Sequence, residues 1–226
     1  MHRNMARSIW PIAVCCLTAG LSHASVIYDI SMNTAPLMSH AAGPFSLEFQ
    51  LNDGRGTGDA NNTATLSSFA FGGGTPMGLP TVAGGASGNL SSSVNLTDSS
   101  FFNQFIQGFT PGSMLKFRLS LTTNVDSGAT PDQFSIAILD RTHTEIPTLA
   151  GSFFGVFVSI DIDSSNPTVK TFASDTMRSP AAGGPPITIA APQVTPAAPP
   201  VPEPGTTLLF ATGLGAIALW RGKRRL

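Results

Sequence analysis

The chain has 226 residues, of which only 11% are charged, and it is rich in glycine (23) and proline (18). This size suits one domain with accessory segments, and the composition favours strands and turns over long surface helices. Between residues 25 and 200, twelve acidic residues stand against six basic ones, and such an acidic body excludes nucleic acid as a partner because it repels phosphate.

The first 24 residues have the three parts of a secretory signal peptide. Arg3 and Arg7 give a positive start, residues 9–21 form a largely apolar run, and small residues precede Ser25. That run is shorter than the ~20 residues that a membrane span needs. We therefore predict that residues 1–24 are a signal peptide, which signal peptidase removes by cutting between Ala24 and Ser25.

Both cysteines, Cys15 and Cys16, lie inside this removable segment. We expect the mature protein to lack cysteine, which excludes disulfides, a thiolate nucleophile and cysteine-based metal sites. A body of about 175 residues can bury an adequate core without such cross-links. We also expect no cofactor.

Residues 25–178 show the period-two alternation of half-buried strands. In residues 44–51, for example, Phe45, Leu47, Phe49 and Leu51 alternate with polar side chains. Equally clear strands are predicted over residues 114–121, 133–140 and 155–163. Weaker candidates cover residues 26–32, 63–71, 89–97 and 168–173.

One segment of the body departs from this alternation. Phe101, Phe102, Phe105 and Ile106 recur at helical spacing, and Gly108 can end the turn. We therefore predict a short amphipathic helix over residues 100–107. Together, these elements predict an all-β fold, an antiparallel, jelly-roll-like β-sandwich with one short helix.

No constellation in the body indicates catalysis. His143 lies between Asp140 and Glu145, but a serine hydrolase would need a serine, a histidine and an acid to converge in space. The stretch DRTHTEIP is typical of a polar hairpin loop instead. We predict no catalytic residue and a protein that is not an enzyme.

Two acidic loops offer oxygen atoms that calcium could use. One contains Asp53 and Asp59, and the other contains Asp161 and Asp163. Neither follows the EF-hand spacing, and Asp, Asn and Gly are ordinary turn residues. The sequence therefore predicts no metal site, with these four aspartates as its weak calcium candidates.

Carbohydrate binding is a second possibility for an exported sandwich, but the body has few stacking residues. Trp10 and Trp220 lie in the terminal segments, and Tyr28 is the one tyrosine. Most phenylalanines occupy inward positions of the predicted strands, where core packing accounts for them. A strong stacking site is not expected, and weak polar binding to glycan stays open.

The C-terminal part of the chain divides into a linker and a three-part tail. Residues 179–200 are rich in proline and alanine and uncharged, and predict a semi-rigid spacer. The tail, residues 201–226, begins with VPEPGT at 201–206 and continues with an apolar run at 207–220, predicted as a transmembrane helix. It ends with the basic residues Arg221, Lys223, Arg224 and Arg225, which the positive-inside rule keeps in the cytoplasm.

This tail closely resembles the PEP-CTERM sorting signal of Gram-negative bacteria. In that family an integral-membrane exosortase processes the tail near its motif, which corresponds here to Pro202, Glu203 and Pro204. The resemblance implies export through the inner membrane, transient membrane anchoring, and delivery to the cell surface or to an extracellular polysaccharide matrix.

The body also resembles a group of uncharacterised PEP-CTERM proteins through the stretches YDISMNT, FSLEFQLN and FFNQFIQGFTPGSMLKFRLSL. That group supplies no activity. We expect an exported surface or matrix protein with a structural or adhesive role and no catalysis. The alternative is a glycan-binding module of the extracellular polysaccharide.

Overall fold

Strands account for nearly all of the regular structure in the computed structural model, which describes residues 25–54, 58–126, 130–150 and 155–197. Its one helical element is a 3₁₀ turn at Ala35–Leu37. The predicted signal peptide and the C-terminal tail lie outside the described residues. In chain order the strands are β1 Ser25–Asn33, β2 Phe45–Asn52, β3 Thr63–Ala70, β4 Thr75–Ala83, β5 Gly85–Gly88, β6 Ser93–Thr97, β7 Phe102–Thr110, β8 Met114–Thr122, β9 Asp132–Leu139, β10 Val156–Ile162, β11 Thr168–Thr171 and β12 Gln193–Pro196.

The strands form two six-stranded sheets. Sheet I has the order β12-β1-β8-β3-β6-β5, and sheet II has the order β11-β10-β9-β2-β7-β4. Strand β1 pairs with β8, β2 with β7 and β3 with β6, all antiparallel. A long hairpin folded over on itself in this nested way is the arrangement of a jelly roll. The prediction of an all-β fold with antiparallel sheets is confirmed.

The apolar rows of the two sheets share one core. In β8, Leu115, Phe117, Leu119 and Leu121 are buried while the alternate residues point outward. Phe117 meets Phe49 of sheet II in an edge-to-face contact with ring centroids 5.7 Å apart. Such pairs add to the stabilisation that burial of the rings provides. This contact joins the centres of the two sheets.

The predicted helix at residues 100–107 is wrong, because this segment belongs to strand β7. The inward positions of β7 are Asn103, Phe105, Gln107 and Phe109, and all four are buried. Two of the four are amides, so the apolar alternation that marks a strand is broken. The remaining aromatic residues then fall by chance at helical spacing.

The two buried amides of β7 are retained because they satisfy backbone groups of neighbouring segments. Asn103 donates to the carbonyl of Leu51 at 2.9 Å and accepts from the N–H of Gly85 at 2.7 Å. Gln107 accepts from the N–H of Leu90 at 2.8 Å and donates to the carbonyl of Gly78 at 2.9 Å. Buried backbone groups without such partners would be costly.

Along the chain, β3 and β6 are separated by two strands that the sequence did not predict, β4 and β5. Pro76 and Pro80 make the sequence of β4 look unlike a strand. They are tolerated because β4 is the edge strand of sheet II. The chain crosses to sheet I at Gly84, whose φ is +60°. A Cβ atom there would lie 2.4 Å from Oδ1 of Asn103, so glycine is required.

The predicted spacer is not a spacer over residues 179–197, which pack on the sandwich. Ala182, Ile187 and Ile189 join the buried core, and β12 pairs with β1. Ser174 fixes this segment, since its hydroxyl donates to the carbonyl of Ile187 at 2.6 Å and accepts from the N–H of Ile189 at 2.7 Å. A few alternating apolar residues are enough to hold this segment on the sandwich, because an open sheet edge supplies partners for its backbone.

Replacing Ile187 with alanine should therefore destabilise the domain. Ile187 is 2% exposed, and truncation of such a side chain costs roughly 2–5 kcal/mol of unfolding free energy. The matched control is Thr188→Ala at the neighbouring exposed position, for which no more than about 0.5 kcal/mol is expected. Urea denaturation of both variants measures the difference, and equal stabilities would show that the segment is not packed.

Candidate functional site

A groove of about 750 Å³ lies on the outer face of sheet II. Its volume falls in the range of small-molecule sites. We call it the sheet II groove. Its polar and charged lining consists of Glu48, Gln50, Asn52, Gln104, Gln133, Ser135, His143, Glu145, Ser159 and Lys170. Its apolar lining includes Phe102, Ile106, Ala137, Leu139, Val156 and Phe172.

Strand register explains why these polar side chains meet. Gln50 of β2 is paired with Gln104 of β7 on one side and with Ser135 of β9 on the other. Ser135 is in turn paired with Ser159 of β10, and Ser159 with Lys170 of β11. Because directly paired residues point to the same face, these five side chains form one polar row across five strands.

Glu48 lies at the floor of the groove and is only 3% exposed. Its Oε1 accepts a hydrogen bond from Nε2 of Gln50 at 2.6 Å and another from Nε2 of Gln104. Burial raises the pKa of this carboxyl, the two amides lower it, and the charge of Glu145 raises it further. The two amide donors keep this buried carboxylate from being an unpaired charge.

The hydrogen-bonding capacity of the floor is not exhausted by these contacts. Nδ2 of Asn52 donates to Oε1 of Gln50 at 3.5 Å, but Oδ1 of Asn52 is buried without a partner. Among the described residues, Oε2 of Glu48 also has no hydrogen-bond partner. Each glutamine amide has a second N–H. The floor therefore presents both acceptors and donors to a ligand.

Aromatic side chains lie at one end of the groove. Phe101 is 62% exposed and Phe102 is 40% exposed, and both line it. They belong to the segment for which the sequence predicted a helix. Its assignment to strand β7 places Phe102 outward, paired with Asn52. A phenylalanine face in this position can stack on an apolar ring face of a ligand.

The sheet II groove is not evident from the sequence. The outward residues of each strand were expected to face solvent, and the phenylalanines were expected to fill the core. The available signal was the glutamate, glutamine and asparagine at alternate positions of FSLEFQLN. Polar residues at outward positions are ordinary, however, and only the pairing of β2 with β7 and β9 shows that they converge.

The His143 loop is organised around Asp140 rather than around a nucleophile. Oδ1 of Asp140 accepts from the N–H of Thr142 at 2.8 Å, and Oδ2 accepts from the N–H of Ala182 at 2.7 Å. Burial opposes ionisation of Asp140, but these hydrogen bonds and those from the Thr142 hydroxyl and the Thr144 N–H lower its pKa. His143 lines the groove, and within the described ranges its side chain forms no hydrogen bond to a serine.

The four calcium candidates lie in two separate places. The carboxylate oxygens of Asp53, Asp126 and Asp132 approach within 4.8 Å of one another, and Asn61 links Asp59 to this cluster by hydrogen bonds to Asp59 and Asp126. The other two candidates have protein partners: Asp161 pairs with Lys170 at 2.7 Å, and Asp163 accepts from Thr168 at 2.6 Å.

The first cluster extends to a buried carboxyl, Asp98. Both of its oxygens accept from the N–H of Asn62 at 3.0 Å. Burial is the largest influence on it, and the neighbouring carboxyls Asp132 and Asp59 add to burial, so that its pKa is raised to about 7. These aspartates hold the loops at one end of the sandwich together through backbone and amide donors.

The fold defines the class: a β-sandwich of two antiparallel sheets, with an amide-lined groove on one outer face. A comparison with protein-family models adds that residues 200–225 match the PEP-CTERM protein-sorting motif. The motif implies export, transient membrane anchoring and processing by an exosortase. Comparisons with curated proteins and with solved structures found no match. In the part of the chain that the structure describes, no helix is long and apolar enough to cross a membrane.

The raised carboxyl pKa values predict how stability depends on pH. The pKa values of Asp98, Asp126 and Glu48 are all raised on folding, so the native state binds protons more tightly than the unfolded chain. The free energy of unfolding should therefore fall as pH rises from 5 to 8. Asp98→Asn should flatten this fall, whereas Asp29→Asn at an exposed position should not.

Urea denaturation at several pH values, with a chelator present, measures this dependence. The lowered pKa values of Asp140 and Asp163 act in the opposite direction, but only near and below the ordinary aspartate pKa of 3.8. They do not oppose the trend above pH 5. Stability that rises between pH 5 and 8 would contradict the assignment of Asp98.

Proposed function

We propose that this chain is an exported protein of the cell surface or extracellular matrix, with an adhesive or structural role and no catalysis. The observation that carries the proposal is a PEP-CTERM motif at residues 200–225, directly after a packed β-sandwich. A sorting signal on a single folded module is typical of a delivered cargo.

Each terminal segment has its own step in this proposal. Signal peptidase cuts between Ala24 and Ser25 after the chain enters the inner membrane. The basic residues from Arg221 to Arg225 stay in the cytoplasm, and the apolar run at 207–220 holds the protein in the membrane. The exosortase then acts near Pro202, Glu203 and Pro204 and releases the domain to the surface or matrix.

Changing Pro202, Glu203 and Pro204 to alanine should block this release. We expect a longer, membrane-held form in place of the processed one, because the exosortase would lose its recognition motif. Intact-mass measurement of surface, medium and membrane fractions tests both ends of the chain at once. The control changes Pro199 to alanine, which also removes a proline but lies outside residues 200–225. Unchanged release of the motif variant would refute the sorting step.

The sheet II groove favours a second candidate function, a glycan-binding module of the extracellular polysaccharide. A concave, amide-lined face with an aromatic end suits a chain of hydroxyl groups. Exported protein should then be retained by polysaccharide isolated from the producing cells. Co-sedimentation tests this, with a cysteine-free β-sandwich of similar charge as the control protein. Equal recovery of both proteins in the supernatant would leave the structural role alone.

A further inference from the structure

The charge of the sheet II groove limits what it can hold. Glu48 and Glu145 both line it, and Lys170 is already paired with Asp161 at 2.7 Å. A polyanion would meet two carboxylates and no free ammonium group among these residues. An uncharged ligand avoids that repulsion. Glu48, which already accepts from two amides, needs only a hydroxyl donor at Oε2.

The geometry of the floor also limits the ligand. The backbone groups of β2 are already paired with β7 and β9, so an extended peptide cannot add to this face as a further strand. Recognition must come from side chains. Carboxylate, amide and hydroxyl groups spaced along a polar row match a ligand that offers both donors and acceptors at short, regular intervals, as neighbouring hydroxyl groups do.

We propose that the sheet II groove binds a neutral, hydroxyl-rich polysaccharide segment, with Glu48, Gln50 and Gln104 forming the hydrogen-bonding floor and Phe102 stacking on a sugar ring. This proposal rests on the proposed glycan-binding function and assigns it a site and a ligand class. Ser135 and Ser159 extend the floor toward β10.

The test uses protein recovered from outside the cells that produce it. Sensor surfaces carry the neutral fraction of those cells' polysaccharide, its acidic fraction, a polyuronate, or chitosan. We expect binding to the neutral fraction. Gln104→Ala and Phe102→Ala should each weaken it at least tenfold, because one removes a floor donor and the other the stacking face.

A matched control removes an amide from the opposite outer face. Asn95 lies on sheet I, where its Oδ1 accepts from the Thr65 hydroxyl at 2.9 Å, and Asn95→Ala should leave binding unchanged. Circular dichroism and thermal unfolding check each variant. Because Phe102 is partly exposed, Phe102→Ala keeps the test valid if Gln104→Ala does not fold.

Three results of the binding test would contradict different parts of the proposal. Binding to the acidic fraction, the polyuronate or chitosan instead of the neutral fraction would overturn the ligand class. Neutral binding that survives both groove substitutions would overturn the groove as the site while leaving the glycan-binding function in place. No binding to any fraction would remove both, and the sorting proposal would stand on its own test.

Discussion

The sandwich depends on aromatic packing between its two sheets. Phe49 stacks on Phe105 within sheet II and meets Phe117 of sheet I edge to face. Phe117 in turn contacts Phe69, with ring centroids 5.4 Å apart, and Phe69 stacks on Phe71. No cysteine occurs in residues 25–226, so no disulfide joins the two sheets, which are held by burial, packing and side-chain hydrogen bonds such as that between Gly85 and Asn103. The inward faces of both sheets are committed to this purpose.

Because the inward faces of both sheets form the core, the outward faces are the ones available for function. Nested pairing brings β2, β7 and β9 side by side although they are far apart along the chain. On their inward side they deliver phenylalanine and leucine to the core. On their outward side the same register aligns Gln104, Gln50 and Ser135. One arrangement of strands therefore produces both the core and the groove.

The sequence predicted the strands whose inward residues are uniformly apolar, such as β2 and β8. It failed where inward positions are polar for tertiary reasons. Asn103 and Gln107 bond to backbone groups of other segments from inside β7, and their amides break the apolar alternation that would have predicted a strand. Local periodicity cannot show such long-range partners. Edge strands β4 and β12 were missed because proline and short length mask their pattern.

The groove was less accessible to sequence reasoning than the fold. Glu48, Gln50 and Asn52 form an ordinary outward row of one strand. Their significance depends on neighbours more than fifty residues away, as with Gln104 and Glu48, and on pairing that no single segment encodes. The terminal segments can be predicted more readily than the groove, because targeting signals are recognised as linear sequence. The PEP-CTERM motif was therefore recognisable without any knowledge of the fold.

The packing of residues 179–197 on the sandwich sets the clearance available to the sorting enzyme. Ala197 is still hydrogen-bonded to Ile27 at 2.8 Å, and Pro202 follows five residues later. Even a fully extended backbone covers no more than about 18 Å over that stretch. A domain of this size has a radius of gyration of about 16 Å. In the processing step that the motif implies, the folded domain therefore lies within about 18 Å of Pro202, and the enzyme must reach the motif close to the surface of its cargo.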